Sequence, residues 1–250
     1  MKKLKTIALV ITVCTFFSCT KTESNNTVSL TDFVKTISVT DGSVTYKDEI
    51  FYDSQGRIDS INKENGYGRF IYKYPTTNKI IGQLIRNSNN ELQIYIEVYL
   101  NSSNLQDSAF QYNNTKDSSS EKCVYNAQGQ LINFKRYRIK NKVTTHIISE
   151  TVYEYNPSGN VIRETTTYHG GTTPVITNYT YTNTPFVFKY GTLYPYPYQI
   201  PNHLVLRKTV AGTFTQTSDY SYTFDNKNRV STEKEVRNSS VSIVTNYTYY

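Results

Sequence analysis

The sequence predicts an all-β fold: an antiparallel meander of hairpins making one large sheet, strongly twisted or curled into a barrel-like wrap. Three observations predict it. The chain has 24 tyrosines, no tryptophan and a single methionine, and it is rich in Thr, Ser and Asn. Tyr and Thr favour strands, while Asn and Gly favour the turns between them. A short turn unit recurs along the chain. Between turns, apolar and polar residues alternate with a period of two rather than at helical spacing.

The turn unit is the strongest of these signals. It reads Tyr52-Asp53-Ser54-Gln55-Gly56-Arg57-Ile58, Tyr125-Asn126-Ala127-Gln128-Gly129-Gln130-Leu131 and Tyr155-Asn156-Pro157-Ser158-Gly159-Asn160-Val161. A fourth copy, Phe224-Asp225-Asn226-Lys227-Asn228-Arg229-Val230, has Asn where the others have Gly. The Asp or Asn caps its own turn by accepting hydrogen bonds from backbone further on. Pro157 presets its turn dihedral, and the Gly or Asn takes the left-handed conformation that closes the loop. The flanking aromatic and aliphatic residues end one strand and start the next. Tyr74 to Ile80 is a degenerate copy, Tyr99 to Leu105 reads as one in a shifted register, and Tyr181 to Pro185 begins another. From Tyr52 the leading aromatics lie 22, 25, 26, 30, 26 and 43 residues apart, the last interval holding an insertion. A period near 25 suits one hairpin per repeat.

The alternation assigns faces. Phe70, Tyr72 and Tyr74 share one, as do Tyr220, Tyr222 and Phe224, Tyr179 and Tyr181, and Tyr247 and Tyr249. These faces are expected to point inward. Ile94 to Leu100 is apolar on one face and carries Tyr95, Glu97 and Tyr99 on the other, which reads as a central strand covered on both sides. Val28 to Val44 reads as an opening strand pair turning at Asp41-Gly42. The expected total is roughly 12 to 16 strands, and a sheet of that size must twist, curl or close.

The first 18 residues have a different character. Lys2, Lys3 and Lys5 precede an apolar run of 11 residues, Ile7 to Phe17, and small Ser18 stands before Cys19. This is the layout of an export signal, too short to span a bilayer as a mature helix. A cysteine directly after the cleavage point resembles the lipobox of bacterial lipoproteins, although Phe16 and Phe17 stand where that family usually has Leu and a small residue. The resemblance implies that Cys19 is acylated and becomes the first residue of the mature chain. The alternative is an ordinary secretory signal in which Cys19 is incidental. Residues 19–29 are polar and read as a flexible, lipid-anchored tether, and residues 30–250 as a single β-repeat domain. The expected location is the cell envelope, on the outer membrane, with the face undecided because Glu23 is the only acidic residue in the tether.

Loss of the three signal lysines lowers the formal charge from +7 to +4. The remaining cations are interspersed with 20 acidic residues, so nucleic acid is not an expected partner. With Cys14 removed and Cys19 acylated, Cys123 is the one cysteine left; no disulfide framework forms, and Cys123 reads as a small buried hydrophobe.

The turn units resemble the YD repeats of Rhs-type proteins, whose consensus is Tyr-Asp-x-x-Gly-Arg-Leu. They look more like the divergent YD-like repeats of small envelope lipoproteins of unknown function. The stretch from Tyr179 to Thr209, with its Pro/Tyr-rich insertion, strengthens that second likeness. It covers roughly Ile50 to the C-terminus and implies an architecture rather than an activity. The Rhs shell and toxin do not carry over, since the repeats are too few and no toxin domain follows.

No catalytic or metal constellation stands out, and neither an enzyme nor a cofactor is expected. His146, His169 and His203 are isolated in sequence, without metal-ligand spacing. Glu233 and Glu235 share a strand face, as a catalytic pair would, but Lys234 and nearby Ser, Thr and Arg read as a solvated face. Asp48 with Glu49, and Glu150 with Glu154, read the same way. Asn113 to Ser120 is polar, lacks the pattern of a calcium loop, and reads as a loop. The segment Tyr190 to Pro201 holds four tyrosines and three prolines and cannot be a central strand. One reading folds it over an open sheet edge; the other offers Tyr194, Tyr196 and Tyr198 to a ligand. The expected role is a non-enzymatic binding module for a glycan, a peptide or an envelope protein. A purely structural envelope part, or an enzyme with a site assembled from separate turns, are the alternatives. An exposed cluster of three or more tyrosine rings distinguishes the first.

Overall fold

A computed structural model describes residues 29–64, 68–113, 118–140, 143–185, 202–212 and 214–250. The described chain is all antiparallel β, in sixteen strands. The first eight are β1 (Val34–Asp41), β2 (Val44–Tyr52), β3 (Ile58–Lys63), β4 (Gly68–Thr76), β5 (Lys79–Ile85), β6 (Leu92–Leu100), β7 (Gln106–Asn113) and β8 (Ser118–Tyr125). The rest are β9 (Leu131–Lys140), β10 (Val143–Tyr155), β11 (Val161–Tyr168), β12 (Val175–Pro185), β13 (His203–Ala211), β14 (Gln216–Phe224), β15 (Val230–Arg237) and β16 (Val241–Tyr249). Each strand pairs with its sequence neighbours, and β1 pairs with β16, so the meander closes into a barrel. Closure leaves no free edge. The open edge that the Tyr190–Pro201 insertion was expected to cover therefore does not exist; the insertion itself lies outside the described residues.

The turn unit folds as its chemistry requires. In the first copy Asp53 Oδ1 accepts the backbone N–H groups of Gln55 and Arg57. Gly56 N–H donates to the Asp53 carbonyl, and Asp53 N–H donates to the Arg57 carbonyl. The copies at Asn126 and Asp225 repeat all four bonds. The residue that closes each loop is left-handed: φ is 73° at Gly56, 77° at Gly129, 79° at Gly159 and 59° at Asn228. Asn101 makes the same four bonds, and Asn104 has φ 59°. That corrects the shifted register expected for this copy. Its unit is in register with the others and begins at Leu100, which pairs with Gln106 as Tyr52 pairs with Ile58.

These turns gather at one end of the barrel, where β1 also begins and β16 ends. There the leading tyrosine of five repeats makes a second contact. Tyr52, Tyr74, Tyr125, Tyr155 and Tyr181 donate their hydroxyls to the carbonyls of Val34, Ile58, Gln106, Leu131 and Val161, on the strand before. Tyr222 and Tyr249 do the same to Val205 and Val230. In the fourth copy Tyr222 thus replaces Phe224, which is 44% exposed beyond a register shift.

Register sorts the side chains into two faces. One row runs through Ile50, Ile61 and Phe70, then Leu84 and Ile94; another runs through Tyr72, Gly82, Ile96, Gln111 and Ser119. This face holds the buried core of Val34, Ile50, Ile58, Ile61, Tyr72, Ile80, Ile96, Val98 and Ala109 and is the interior. The tyrosine and aliphatic faces point inward, as expected, except that Phe224 leaves the face it was expected to share with Tyr220 and Tyr222 at the register shift. Cys123 is buried among them. Asn113 and Ser118 to Ser120 belong to β7 and β8, which narrows the loop expected over Asn113 to Ser120; Asn114 to Asp117 lie outside the described residues. Strand β6 is not covered on both sides: Tyr95, Glu97 and Tyr99 lie on the outer wall of a single-layered barrel. The opening hairpin joins β1 and β2 through Gly42, at φ 59°.

Candidate functional site

Two surfaces concentrate functional chemistry. The first is the inner wall. It is mostly apolar on β1 to β7, where Asp48 and Lys63 form an inward ion pair, and mixed from β8 onward, where charged and polar rows alternate with buried Leu131, Val161, Leu204 and Val230. Glu121, Arg136 and Ser149 form one inward row, Tyr153, Glu164 and Thr177 a second, and Tyr220, Glu235 and Ile243 a third. Tyr179 donates to Glu164 at 3.1 Å, and both Nε and Nη2 of Arg237 bond the Glu235 carboxylate.

Glu233 and Glu235 therefore face the interior, which corrects the solvated face expected for them. Strand alternation puts the two carboxylates together but does not say which side is inside. Their environments differ. Burial first, and the neighbouring Glu235 charge second, push the Glu233 carboxyl up to about 7. Glu235 is held low by hydrogen bonds from Arg237, Ser218 and Tyr220, which outweigh its burial. Burial also raises Glu164 and Glu121. Glu121 is 5% exposed and Gln106 is 6% exposed; Gln106 Nε2 reaches Glu121 at 3.5 Å, and Gln106 Oε1 has no hydrogen-bond partner among the described residues.

The second surface is outside. Outward positions on the strands from β10 round to β3 are mostly polar or carry paired charges, with Phe51, Val152, Ile176, Val236 and Val244 scattered among them. Lys135–Glu150, Arg163–Glu154 and Arg207–Asp219 are cross-strand ion pairs, and Thr36–Thr248 and Thr232–Asn246 bond side chain to side chain. Glu150 and Glu154 are solvated, as read from the sequence. On β6 to β9 the outer wall turns aromatic. Tyr95 faces Tyr112 with ring centroids 6.3 Å apart, and Tyr99 meets Phe110 edge-on at 6.1 Å. Phe110, Ser120 and Tyr137 are cross-strand neighbours. Ser120, between Phe110 and Tyr137 across the strands, is only 7% exposed although it faces outward. Glu97 sits at the centre: Lys79 and Tyr95 donate to Oε1 and Tyr99 to Oε2. The Lys79 ammonium holds its carboxyl below the usual range. Sequence reading noted Tyr95, Glu97 and Tyr99 but took them as covered. It missed Phe110, Tyr112 and Tyr137, which reach the patch only through register.

Cys19, Tyr194, Tyr196 and Tyr198 lie outside the described residues. His146 and His169 do not stand alone: their rings are 5.6 Å apart. His203 closes a structural contact, its Nδ1 lying 3.0 Å from Asn160 Nδ2. Among the described residues no three His, Cys, Asp or Glu side chains converge on a metal position.

The fold defines a closed, up-and-down β-barrel with a mixed interior and a largely polar exterior. It is similar to the crystal structure of a porin-like protein from Bacteroides uniformis ATCC 8492, with TM-score 0.62 and 14% identity over 87% of this chain and 98% of that one. It is likewise similar to a porin-like protein from Bacteroides vulgatus ATCC 8482, with TM-score 0.63 and 11% identity over 88% and 99% of the two chains. At such identity the likeness is one of fold. No family model matches the sequence, and no curated protein does.

Proposed function

We propose that this is a lipid-anchored envelope protein whose barrel stands in water beside the membrane and acts as a non-enzymatic binding module. The outer wall carries the reading. A barrel that spans a bilayer shows an outward apolar band about 25 Å tall, flanked by aromatic girdles, and a polar lumen. Here the interior is mixed and the outer wall is largely polar. Apolar side chains line half of the interior, and ion pairs such as Arg207–Asp219 at 2.5 Å occupy outward strand positions. A charge at mid-bilayer on a barrel's lipid face costs about 2–4 kcal/mol. Attachment then falls to Cys19, whose acyl chains each contribute about 0.8 kcal/mol per buried methylene. The half-exposed tyrosine patch on β6 to β9 favours binding over a purely structural part.

Fractionation of the native chain and of Cys19→Ala tests both halves. The wild type is expected in the outer-membrane fraction. Cys19→Ala is expected to be soluble, folded and free of detergent. Membrane retention of the variant overturns lipid anchoring, and aggregation relieved only by detergent overturns the water-side barrel.

A further inference from the structure

We propose that the outward aromatic patch of β6 to β9 is a saccharide platform, and that the saccharide it takes is acidic. This rests on the reading of the protein as a binding module and names its ligand class.

The patch is small. It spans three strand spacings, about 14 Å, by the four residue steps from Tyr95 to Tyr99, about 13 Å. That is roughly 200 Å², against the roughly 800 Å² per partner of a standard protein interface. Its floor is polar, with Ser118 and Ser120 between the rings and Glu97 at the centre. A second copy of the chain or a globular partner needs a larger and drier surface. An extended peptide binds a sheet by adding a strand to a free edge, and β5 to β9 are paired on both sides. A sugar ring fits these limits: it has apolar C–H faces that lie on aromatic rings and hydroxyls that bond to polar tips, and tyrosine offers both.

Glu97 is the positioning residue. Its carboxylate receives Tyr95, Tyr99 and Lys79, so it fixes two rings rather than offering a free acceptor. Lys79 also lies 5.1 Å from the Tyr99 ring centroid. The rim then sets the charge preference. Lys73 and Lys122 are exposed, point outward and lie two strands from Glu97 and from Tyr99, on opposite sides. Neither makes an ion pair with a described residue. Two free ammonium groups flanking a ring platform suit a uronate or phosphorylated sugar.

The test uses the full lipidated chain in detergent on an array of neutral, uronate-bearing and phosphorylated oligosaccharides, with short peptides alongside. Acidic oligosaccharides should bind at least ten-fold more tightly than their neutral counterparts, and less so as salt rises. Tyr112→Ala and Tyr137→Ala should each weaken binding about ten-fold without moving the melting temperature by more than a few degrees. Tyr112→Phe, which keeps the ring, should retain most of the affinity. Lys73→Ala with Lys122→Ala should erase the preference for acidic sugars while leaving neutral ones unchanged. Equal binding of neutral and acidic sugars overturns the acidic class. Sugar binding that survives both ring truncations in folded protein overturns the platform and leaves a binding module with another site. Peptide capture dependent on the same rings overturns the saccharide but not the module. Binding to nothing on the array overturns both.

Discussion

The Tyr155 hydroxyl donates to the Leu131 carbonyl at 2.7 Å, tying the end of one strand to the start of the strand before it. Six other tyrosines repeat this relationship around the turn end of the barrel. Each odd strand starts beside a register shift, where the ladder leaves backbone polar groups to be satisfied by other means. A tyrosine laid across that position supplies the missing donor and buries a ring in the same stroke. Tyr155→Phe keeps the ring and removes the donor. The expected loss is about 1–2 kcal/mol in denaturant unfolding. Two such changes far apart on the barrel, Tyr52→Phe and Tyr155→Phe, should add. A double variant as stable as either single one would show that these bonds carry little.

Asn160 does the same work for the longest connection. It is 2% exposed, and its Oδ1 accepts the backbone N–H groups of Asn202 and His203 at 2.7 and 3.1 Å. The turn before β11 therefore holds the start of β13. Asn160→Ala strands two backbone donors and a histidine, and should cost about 2–3 kcal/mol. Hydrogen exchange should rise first at Leu204 and Val205; protection there equal to wild type would refute the staple.

Glycines separate local strain from packing. At Gly42, φ is 59° and an added Cβ meets nothing within 4 Å, so Gly42→Ala should cost about 1 kcal/mol of left-handed strain. At Gly68, φ is 147° and an added Cβ runs into the Ile85 carbonyl oxygen. Gly68→Ala must part β4 from β5 and should lower the melting temperature far more, or prevent folding. Equal melting temperatures for the two variants would contradict this.

The buried carboxyls set the expected pH dependence of stability. Burial raises Glu233 to about 7 and raises Glu164 and Glu121 as well. Glu233 faces Glu235 on its own strand, Tyr222 on β14 and Thr245 on β16. A raised carboxyl binds its proton more tightly in the folded state. Its contribution is full below the unfolded value near 4.3 and is lost as pH climbs through about 7. Stability should therefore decline between pH 5 and 8, by on the order of 2 kcal/mol for Glu233. Glu233→Gln should flatten that slope and be the more stable protein at pH 8. On the acid side, Asp53, Asp225 and Glu97 are held low by their Arg or Lys partners, and their contribution fades below about pH 4. A profile that rises steadily from pH 5 to 8 would reverse the assignment.

Much of this architecture was legible in the chain because it is local. The Asp53 turn closes within five residues, through bonds that its own side chain and one left-handed glycine make possible. Tyr72 and Tyr74 share a face by strand geometry alone. In the Asn101 copy the aromatic Tyr99 stands one place out of step, because the turn's hydrogen bonds follow the Asn and accept Leu100 in the aromatic place.

What the sequence determined by itself is the unit: a capped turn, two alternating strands and a tyrosine at the join, repeated until the chain ends. Tertiary structure decided how the units are arranged. Ile37 pairs with Tyr247 across almost the whole chain, and no local preference reports a contact at that separation. Closure then gave each alternating face a side. It turned Glu233 and Glu235 inward, where burial changes their chemistry, and left Tyr95, Tyr112 and Tyr137 outside on a shared wall. Alternation says which residues lie together; only the curvature of the closed sheet says which of them meet water.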